Sequence, residues 1–392
     1  MLNGSSSNIP TKLYFGKNKE GLIGEILKER NAKKVLVIIG QGSVKKSGLL
    51  DKVLLLLQKE NIEYKLFEGV RANPTREFAN QGVTLAKEYK PDYLLAIGGG
   101  SVIDTAKYMA VGYYYDGDAF DFNLHKIKPA KALPIGVILT ISAAGSEMST
   151  SCVIQDDDIG TKMGFNSELV RPNFAIENPE LTYSVNKKQT AFGITDILMH
   201  TLERYLQPSC SNEPADRFSE GLMKSVIEAG KVVMNNPNDY EARATLMLMS
   251  SMSHNGLTSI GKTFGMPVHQ LEHPLSGLYP EVAHGEGLAI LWPSWARYYL
   301  PYEVEKFNSL AVNVFDLHDD DKYKNASKGI DMMQEFFISL GISSKLTALD
   351  TNKTISIDAL VDTFSQGGTR VVAHHAKPMD QKIAREIYTN CF

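Results

Sequence analysis

The segment YLLAIGGGSVIDTAKYMAVG, residues 93–112, decides the fold of the first half of the chain. Its apolar run, residues 93–97, is typical of a buried strand, and residues 102–112 indicate a helix. Gly98-Gly99-Gly100-Ser101 lies between them. Glycines let the backbone approach a ligand closely, and the free N–H groups at a helix start favour a phosphate. The segment therefore predicts a strand–loop–helix unit that either binds a phosphate group or makes a tight turn.

Strands and helices alternate on both sides of this segment. Apolar, β-branched runs predict further strands at residues 35–40, 62–67 and 133–140. Helical spacing predicts helices at residues 47–61 and 75–89. Strands that alternate with helices of this length are typical of a parallel sheet covered by helices on both faces. The first half is therefore predicted to be a Rossmann-like α/β domain.

The pattern changes near residue 185, after which helical spacing is nearly continuous. The predicted helices of the second half are residues 187–206, 215–234, 241–259, 286–300, 331–340 and 380–389. We therefore predict two domains. Residues 1–185 form an α/β dinucleotide-binding domain, and residues 186–392 form an all-helical domain that binds metal and substrate.

Composition excludes several classes of protein. The chain has 392 residues, 43% of them hydrophobic, and a formal net charge of -4. A weakly acidic balance argues against binding to nucleic acid or to an anionic membrane. No apolar run is long enough to span a bilayer, and the N-terminus lacks the pattern of a secretory signal. Three widely spaced cysteines suggest neither a disulfide framework nor a Cys-based zinc site, so a cytoplasmic location is expected.

Two more loops of small residues follow predicted strands. They are Gly40-Gln41-Gly42-Ser43 and TISAAGSE, residues 140–147. Ligands of parallel α/β sheets bind beyond the carboxyl ends of the strands. Each loop alone is more commonly a simple turn, but together with residues 98–101 they outline a dinucleotide groove. The glycine run at residues 98–101 is neither a P-loop nor a G-x-G-x-x-G motif.

A group of candidate metal ligands lies in the helical half. Asp196 and His200 are four residues apart, so both lie on one face of a helix. His269 and His273 have the same spacing, and His284 follows. In isolation such pairs are often simple surface or core contacts. As a set, one carboxylate and several imidazoles suit Zn²⁺, Fe²⁺ or a similar divalent ion.

The remaining five histidines have no comparable partners in the sequence. We interpret them as structural or surface residues, although the helix of His254 could line the same cavity; the five are His125, His254, His318, His374 and His375. The order His269-x-x-Glu272-His273 also resembles the H-x-x-E-H motif of a class of metalloproteases. A protease would leave Asp196 and His200 unexplained.

The sequence resembles the iron-dependent (group III) alcohol dehydrogenases over nearly its whole length, and within them the butanol dehydrogenases and broad-range aldehyde reductases. The resemblance is carried by the segments TKLYFG, GQGSVKKSGLLDKV, LAIGGGSVIDTAK, NPELTYSV, GITDILMHTLERY, HQLEHPLSG and AHGEGLAILWPSW. It implies the dehydroquinate-synthase-like architecture, with an N-terminal dinucleotide domain and a C-terminal helical domain.

The resemblance also implies roles for individual residues. The metal ligands would be Asp196, His200, His269 and His284, and His273 would face the nicotinamide and substrate without binding metal. The coenzyme would contact the residues at the family's nucleotide-binding positions, namely Gly40, Gln41, Gly42, Ser43, Gly99, Gly100, Ser101, Asp104, Thr140, Ser142 and Lys162.

Three departures from the family pattern have consequences. The interval from His273 to His284 is one residue longer than expected, so the loop before His284 should bulge. Ala144 stands where threonine is common, which removes one hydroxyl that could contact the coenzyme. Gln41 stands where NAD-preferring members often carry aspartate. With no carboxylate in this loop and with Lys45 and Lys46 just after it, NADP(H) is expected to be favoured over NAD(H).

The expected function is that of a metal-dependent alcohol dehydrogenase or aldehyde reductase. It would transfer a hydride between NAD(P)(H) and a small primary alcohol or aldehyde. Iron is the family's usual metal, and zinc also fits one carboxylate and three imidazoles. A homodimer is expected from the family alone. The alternatives are a glycerol dehydrogenase-like or dehydroquinate synthase-like enzyme on the same fold, and a non-catalytic nucleotide-binding protein.

Overall fold

A computed structural model of the chain describes residues 8–207, 213–262 and 265–392. The chain divides into two compact units, Asn8–Val185 and Asn186–Phe392. Within these described ranges, the strands all lie in the first unit. In chain order they are β1 (Lys12–Phe15), β2 (Lys34–Gly40), β3 (Glu63–Val70), β4 (Tyr93–Gly98), β5 (Ile135–Leu139), β6 (Ser151–Asp156), β7 (Thr161–Asn166) and β8 (Phe174–Glu177).

Six of these strands form one parallel sheet, in the order β1-β8-β5-β4-β2-β3. The interior strands β2, β4 and β5 are apolar runs whose side chains are almost wholly buried. Such runs are typical of parallel strands covered on both faces. The helices of this unit are α1 (Ile23–Glu29), α2 (Ser43–Lys46), α3 (Leu49–Lys59), α4 (Arg76–Tyr89), α5 (Gly100–Gly112) and α6 (Phe120–Asn123). The predicted parallel α/β sheet is confirmed.

The three small-residue loops follow neighbouring strands. Residues 40–43, 98–101 and 140–147 come directly after β2, β4 and β5, which are adjacent in the sheet. Because these strands are parallel, their carboxyl ends lie at one edge, where ligands of open α/β sheets bind. The topology therefore brings the three loops together, as their sequence context predicts.

Four strands differ from the expectation. β1 and β8 pair with each other at one side of the sheet, and β6 and β7 form a separate antiparallel hairpin. β1 and β8 have only four residues each. A four-residue strand has too few positions to show a distinctive apolar period, and its partner lies far away in sequence. The sequence pattern therefore missed them.

The second unit is helical. Its helices are α7 (Lys187–Tyr205), α8 (Glu213–Asn235), α9 (Tyr240–His254), α10 (Pro267–Leu278), α11 (His284–Tyr299), α12 (Val304–Phe315), α13 (Lys322–Ser339), α14 (Ile357–Ser365) and α15 (Gln381–Thr389). The predicted all-helical character holds for the described residues of this unit. Three helices, α10, α12 and α14, were not predicted, and α9 ends at His254 rather than at residue 259.

Helix α11 is central to the packing of this unit. It lies against α7, α10, α13 and α15. Its large side chains Trp292, Trp295 and Tyr299 are almost completely buried. Ser294 donates a hydrogen bond of 2.9 Å to the carbonyl of Ile387 in α15. This packing anchors α11, the helix whose first residue is His284.

No helix in the described ranges is long and apolar enough to cross a membrane. Cys152 and Cys391 are buried free thiols. The third cysteine, Cys210, lies outside the described residues.

Candidate metal centre and coenzyme loops

Helix α7 carries three acidic or imidazole side chains on one face. Asn186 caps the helix, because its side chain accepts a hydrogen bond of 2.8 Å from the N–H of Gln189. Asp196, His200 and Glu203 follow at spacings of four and three residues, which place them on the same side. All three are buried, at 5%, 4% and 1% exposure. Ionisable groups are rarely buried to this extent unless they are paired or bind a metal.

The candidate ligand atoms converge on Oδ1 of Asp196. This oxygen lies 3.5 Å from Nδ1 of His200, 3.8 Å from Nε2 of His269 and 3.9 Å from Nε2 of His284. Ligand atoms about 2.1 Å from a tetrahedral ion lie roughly 3.4 Å from one another. The spacing is therefore slightly wider than that of a tetrahedral site and suits a divalent cation at the centre.

Three of these atoms have unmet bonding capacity. Oδ1 of Asp196, Nδ1 of His200 and Nε2 of His269 are buried and form no hydrogen bond within the described ranges. Leaving such atoms unsatisfied is costly, so a ligand is the natural partner. The same three residues form the metal-compatible cluster found in the described part of the chain. His284 is the outermost member, with 24% of its side chain exposed.

Two glutamates support the imidazoles from behind. Glu203 contacts Nδ1 of His269, and Glu272 contacts Nδ1 of His284. Both carboxylates are fully buried. The sequence pattern indicates no role for Glu203 and involves Glu272 only in the protease alternative. In the structure Glu272 faces His284, so the H-x-x-E-H interpretation does not hold. The signal that could have identified Glu203 is its position on the ligand face of α7.

The pKa values of the two buried imidazoles, His200 and His269, are shifted in opposite directions. Burial, together with the imidazoles of His254 and His269, lowers the pKa of His200 well below its usual value. Burial also acts to lower the pKa of His269, but Glu203 and Asp196 outweigh burial and raise it to about 9. Neutral imidazole with a free nitrogen lone pair is the form that binds metal.

Two further histidines lie beside the cluster. His273 is one turn beyond His269 on α10, is partly exposed, and its ring centroid lies 6.1 Å from that of His284. His273 therefore lies beside the cluster, and its role towards nicotinamide and substrate stays a prediction. The ring of His254 lies 4.2 Å from that of His200. His254 is therefore in contact with the cluster, whereas the other four histidines interpreted as structural are not in ring contact with it.

Close backbone packing brings His284 into place. A Cβ on Gly285 would lie 2.2 Å from the carbonyl oxygen of Phe192 in α7, and one on Gly287 would lie 2.9 Å from Cγ of Glu272. Neither glycine has a positive φ. Their absence of a side chain therefore allows α11 to approach α7 and α10. Residues 279–283 connect α10 to α11, and the bulge expected before His284 stays a prediction.

The glycine loop after β4 is tightly packed. A Cβ on Gly99 would lie 2.4 Å from Cγ2 of Ile141, a residue of the next loop. Thr140 donates its N–H to the carbonyl of Gly98 over 3.1 Å, which joins the same two loops. Gly100 and Ser101 begin α5, where N–H groups have no acceptor within the helix. The loop can therefore present donors to a phosphate.

Asp104 contacts the protein through both carboxylate oxygens. Ser146 donates to one of them over 2.6 Å and the N–H of Val153 donates to the other over 3.0 Å. The buried ammonium of Lys107 donates to Ser146 and to the carbonyl of Ser151. These contacts tie α5 to the segment after β5. A direct contact between Asp104 and the coenzyme stays a prediction.

Two other residues expected to contact the coenzyme, Ser142 and Lys162, differ in whether their polar side-chain atoms already have a partner within the protein. The hydroxyl oxygen of Ser142 is buried and has no hydrogen-bond partner in residues 8–207, 213–262 or 265–392. It is therefore available to a ligand. Lys162 lies on β7 and donates to Oδ1 of Asn73 over 3.2 Å.

The loop after β2 is more open than the loop after β4. Gln41 and Ser43 are exposed. Lys45 forms an ion pair with Glu68, which is at the end of β3 next to β2. The helix predicted at residues 47–61 corresponds to α3, and the unpredicted four-residue α2 precedes it, with Gly48 at φ 74° between them. Because α2 has only four residues, its dipole contributes little to the electrostatic field at Ser43. Lys45 and Lys46 lie at the end of this helix rather than at its start.

The chain is similar to known proteins over nearly its whole length. Residues 10–179 match the family described as iron-containing alcohol dehydrogenase, and residues 190–389 match the C-terminal domain of the Fe-containing alcohol dehydrogenase family. NADH-dependent butanol dehydrogenase A of Clostridium acetobutylicum is 40% identical over 365 residues, which cover 92% of this chain and 93% of the relative. The NADPH-dependent aldehyde reductase YqhD of Escherichia coli is 31% identical, with 99% of both chains covered.

Solved structures agree with the sequence comparisons. The crystal structure of NADH-dependent butanol dehydrogenase A from Thermotoga maritima matches with a TM-score of 0.94 at 31% identity, covering 100% of this chain and 99% of that chain. A crystal structure of YqhD from Escherichia coli matches with a TM-score of 0.93 at 30% identity, with 100% and 99% covered.

Proposed function

The chain belongs to the iron-containing alcohol dehydrogenase family, and from this premise we propose how its residues carry out the reaction. It is an NAD(P)-dependent oxidoreductase that transfers a hydride between the coenzyme and a primary alcohol or aldehyde. Asp196, His200, His269 and His284 hold a divalent metal. The observation that carries this assignment is the convergence of three imidazole nitrogens on Oδ1 of Asp196, within 3.9 Å.

A bound divalent cation supplies a Lewis acid that stabilises negative charge developing on the substrate oxygen. The reduced nicotinamide supplies the hydride. The protein positions both partners and manages the proton. His273, beside His284 and partly exposed, passes a proton between the alcohol oxygen and solvent. Asp196 and His200 are buried, so these two ligands are shielded from bulk solvent.

The coenzyme is held by the three loops at the carboxyl edge of the sheet. Gly99, Gly100 and Ser101 contact the pyrophosphate through backbone N–H groups at the start of α5. Thr140, Ser142 and Lys162 contact the nicotinamide half, and the unpartnered hydroxyl of Ser142 supports this role. Asp104 acts by holding Ser146 and Val153 in place.

Iron(II) is the proposed metal, with zinc as the other ion that one carboxylate and three imidazoles suit. The description of the matched family supports iron. Elemental analysis of protein purified without oxygen tests this proposal. Iron close to one equivalent per chain supports it, and zinc at that level with no iron would contradict it.

NADPH is the proposed preferred coenzyme. The loop Gly40-Gln41-Gly42-Ser43 carries no carboxylate that would repel a 2′-phosphate, and Lys45 lies just beyond it. Relatives with either coenzyme are known: one is a butanol dehydrogenase named as NADH-dependent, and another is an aldehyde reductase named as NADPH-dependent. Glu68, which is paired with Lys45, is the group that would oppose the phosphate.

We also propose that the enzyme acts in the cytoplasm as a homodimer on small aldehydes and alcohols. The free thiols of Cys152 and Cys391 are consistent with a reducing compartment. Sedimentation of the purified chain at micromolar concentration tests the dimer, and a monomer mass would contradict it.

The central experiment follows oxidation of NADPH or NADH by butyraldehyde. Metal-loaded enzyme should reduce the aldehyde, chelated enzyme should not, and added metal should restore the rate. Failure of the metal-loaded enzyme with a panel of aldehydes and alcohols would contradict the proposed function. Conversion of a substrate to a cyclised product without net coenzyme oxidation would indicate the dehydroquinate synthase-like alternative.

A further inference from the structure

Two fully buried carboxylates lie directly behind the candidate metal ligands. Glu203 contacts Nδ1 of His269, and Glu272 contacts Nδ1 of His284. In each histidine the opposite nitrogen, Nε2, is the one that faces Asp196, at 3.8 Å and 3.9 Å. Each imidazole is therefore placed between a carboxylate on one side and the candidate metal position on the other.

This arrangement determines which nitrogen can bind a cation. A neutral imidazole has one N–H and one lone pair. A carboxylate accepts hydrogen bonds but does not donate one, so it holds the proton on Nδ1. The lone pair is then on Nε2, which faces the cluster. The carboxylate also makes the ring more basic and fixes its rotation.

The two glutamates connect three helices in series. Glu203 lies on α7 with the ligands Asp196 and His200, and it holds the histidine of α10. Glu272 lies on α10 and holds the first residue of α11. On α7 and on α10, one carboxylate orients the ligand supplied by the next of these three helices.

Glu203 also aligns the backbone of α10. Its Oε1 accepts hydrogen bonds from the N–H groups of Val268 and His269, at 2.5 Å and 3.3 Å. These groups are in the first turn of α10, which begins at Pro267. The carboxylate therefore satisfies donors that a helix leaves free at its start. It fixes the ring and the backbone of His269 together.

The charges also require a partner. Asp196, Glu203 and Glu272 bring three buried carboxylates to one small region. Buried charges are stabilised when they are paired or bind a metal. Protonated histidines could compensate these carboxylates in a purely structural role. A divalent cation compensates them while leaving the imidazoles neutral.

We propose that Glu203 and Glu272 are positioning residues of the metal centre, which hold His269 and His284 with Nε2 directed at the metal. This inference rests on the proposed function, because it takes these histidines as ligands. It extends the site to two residues that contact neither substrate nor coenzyme.

The test is a titration of metal-free protein with Co²⁺, which reports affinity and coordination through its visible absorption. Glu272→Gln keeps a hydrogen-bond acceptor but removes the charge, and Glu272→Met removes both. We expect Co²⁺ affinity to fall by about 10-fold in the first variant and by about 100-fold in the second. The absorption bands should shift as His284 loses its fixed orientation. Glu203→Gln should behave like Glu272→Gln.

Glu220→Gln is the matched control. Glu220 is a buried carboxylate of the same unit that contacts Tyr205, Arg217 and Asn313 instead of the cluster. This variant should lose stability but keep the affinity and spectrum of the wild type. A purely structural role for Glu272 would produce that same result in Glu272→Gln.

The outcomes separate this inference from the proposed function. Unchanged Co²⁺ affinity and spectrum in folded Glu272→Gln and Glu203→Gln would overturn the positioning role while leaving the metal site intact. Wild-type protein that binds no Co²⁺ would overturn both. If Glu272→Met does not fold, as far-ultraviolet circular dichroism would show, the two glutamine variants decide the question.

Discussion

Oδ1 of Asp196 lies 3.5 Å from Nδ1 of His200, one turn further along α7. Neither atom has a hydrogen-bond partner in the part of the chain that the structure describes. A carboxylate and an imidazole at this spacing on an exposed helix would hydrogen-bond each other or water. Here the same oxygen is also surrounded by His269 and His284. The pair is therefore organised around a position between the side chains rather than around a mutual hydrogen bond.

Asp196→Ala is expected to remove the metal and almost all activity. Loss of the only carboxylate in the ligand set weakens binding and leaves the developing alkoxide charge without a Lewis acid. The expected loss in kcat is about 1000-fold, or about 4 kcal/mol. Metal content and aldehyde reduction are measured on the same preparation. Asp358→Ala, at an exposed carboxylate on α14, serves as control. Full activity in metal-free Asp196→Ala protein would contradict the metal mechanism.

Spacing alone places Asp196 and His200 on one helix face, because that geometry is local, whereas the full ligand set with His269 and His284 is implied by the family resemblance. The spacing of Asp196 and His200 decides that they share a helix face, whatever the rest of the fold does. The same holds for His269 and His273. Whether Glu203 faces His269 depends instead on how α7 and α10 pack. That contact joins residues far apart in sequence, and no periodicity encodes it.

The fold shows the same division between local and distant information. The apolar runs of β2 and β4 indicate buried parallel strands, since a strand covered on both faces of the sheet is apolar along its whole length. The sequence of β1 does not indicate a buried strand, because its residues are half-exposed. Its partner β8 also lies at the other end of the unit in sequence. Helix α10 was missed because Pro274 lies inside it. Proline normally indicates a helix boundary, and tertiary packing overrides that preference here.

Gly285→Ala is expected to destabilise the helical unit. The added methyl group would lie 2.2 Å from the carbonyl oxygen of Phe192, and a backbone atom cannot move aside cheaply. Overpacking of this kind costs about 1–3 kcal/mol. Since Gly285 follows His284, metal affinity should fall as well. Denaturant unfolding of metal-free protein and a metal titration measure the two effects.

Gly221→Ala, the same substitution at another glycine, is expected to stabilise the protein rather than destabilise it. Gly221 is exposed within α8, and an added Cβ meets nothing within 4 Å. Alanine should therefore stabilise the protein by about 0.5–1 kcal/mol. Equal effects of the two substitutions would show that packing around Gly285 is looser than the geometry indicates.

Lys107→Met is expected to destabilise the α/β unit. Its ammonium is completely buried and donates to Ser146, Ser149 and Ser151. Removing it leaves several acceptors and Asp104 without this partner, at a cost of about 3–5 kcal/mol. Because the network joins α5 to the segment after β5, the KM for coenzyme should rise more than the KM for aldehyde. Lys59→Met, at an exposed lysine, should change neither quantity. Wild-type stability and KM in Lys107→Met would contradict this role.

His374 should make the protein less stable in mild acid. Burial and the adjacent His375 lower the pKa of His374 to about 3, whereas an unfolded histidine titrates near 6.5. Between these values the unfolded chain binds the additional proton, so stability is present above pH 6.5 and decreases as the pH falls. The decrease from pH 7.5 to pH 5 amounts to about 2 kcal/mol from this group.

The substitution His374→Gln should reduce that loss. Unfolding is followed from pH 7.5 to pH 5 for the wild type, His374→Gln and the exposed-site control His318→Gln. The first variant should show a shallower decrease than the wild type, and the control should follow the wild type. A decrease of equal slope in all three proteins would assign the acid sensitivity to other groups.

Coenzyme choice should respond in opposite directions to two substitutions near the loop after β2. Gln41→Asp adds a carboxylate that bonds the ribose hydroxyls and repels a 2′-phosphate. The ratio of kcat/KM for NADPH to that for NADH should fall by about 10-fold, equivalent to about 1.4 kcal/mol. Glu68→Gln removes the partner of Lys45 and leaves its ammonium available to the phosphate. Because an exposed ion pair contributes up to about 1 kcal/mol, this ratio should rise by up to about five-fold.

Glu63→Gln is the control for the second substitution, because Glu63 is exposed at the opposite end of the same strand, β3. It should leave the ratio unchanged. Measurements with one aldehyde at saturating concentration, and with both coenzymes varied, give the four ratios. A wild-type preference for NADH would contradict the proposed coenzyme. An unchanged ratio in both Gln41→Asp and Glu68→Gln would show that the adenosine binds away from β2 and β3, since two charge changes at its 2′ position cannot both be silent.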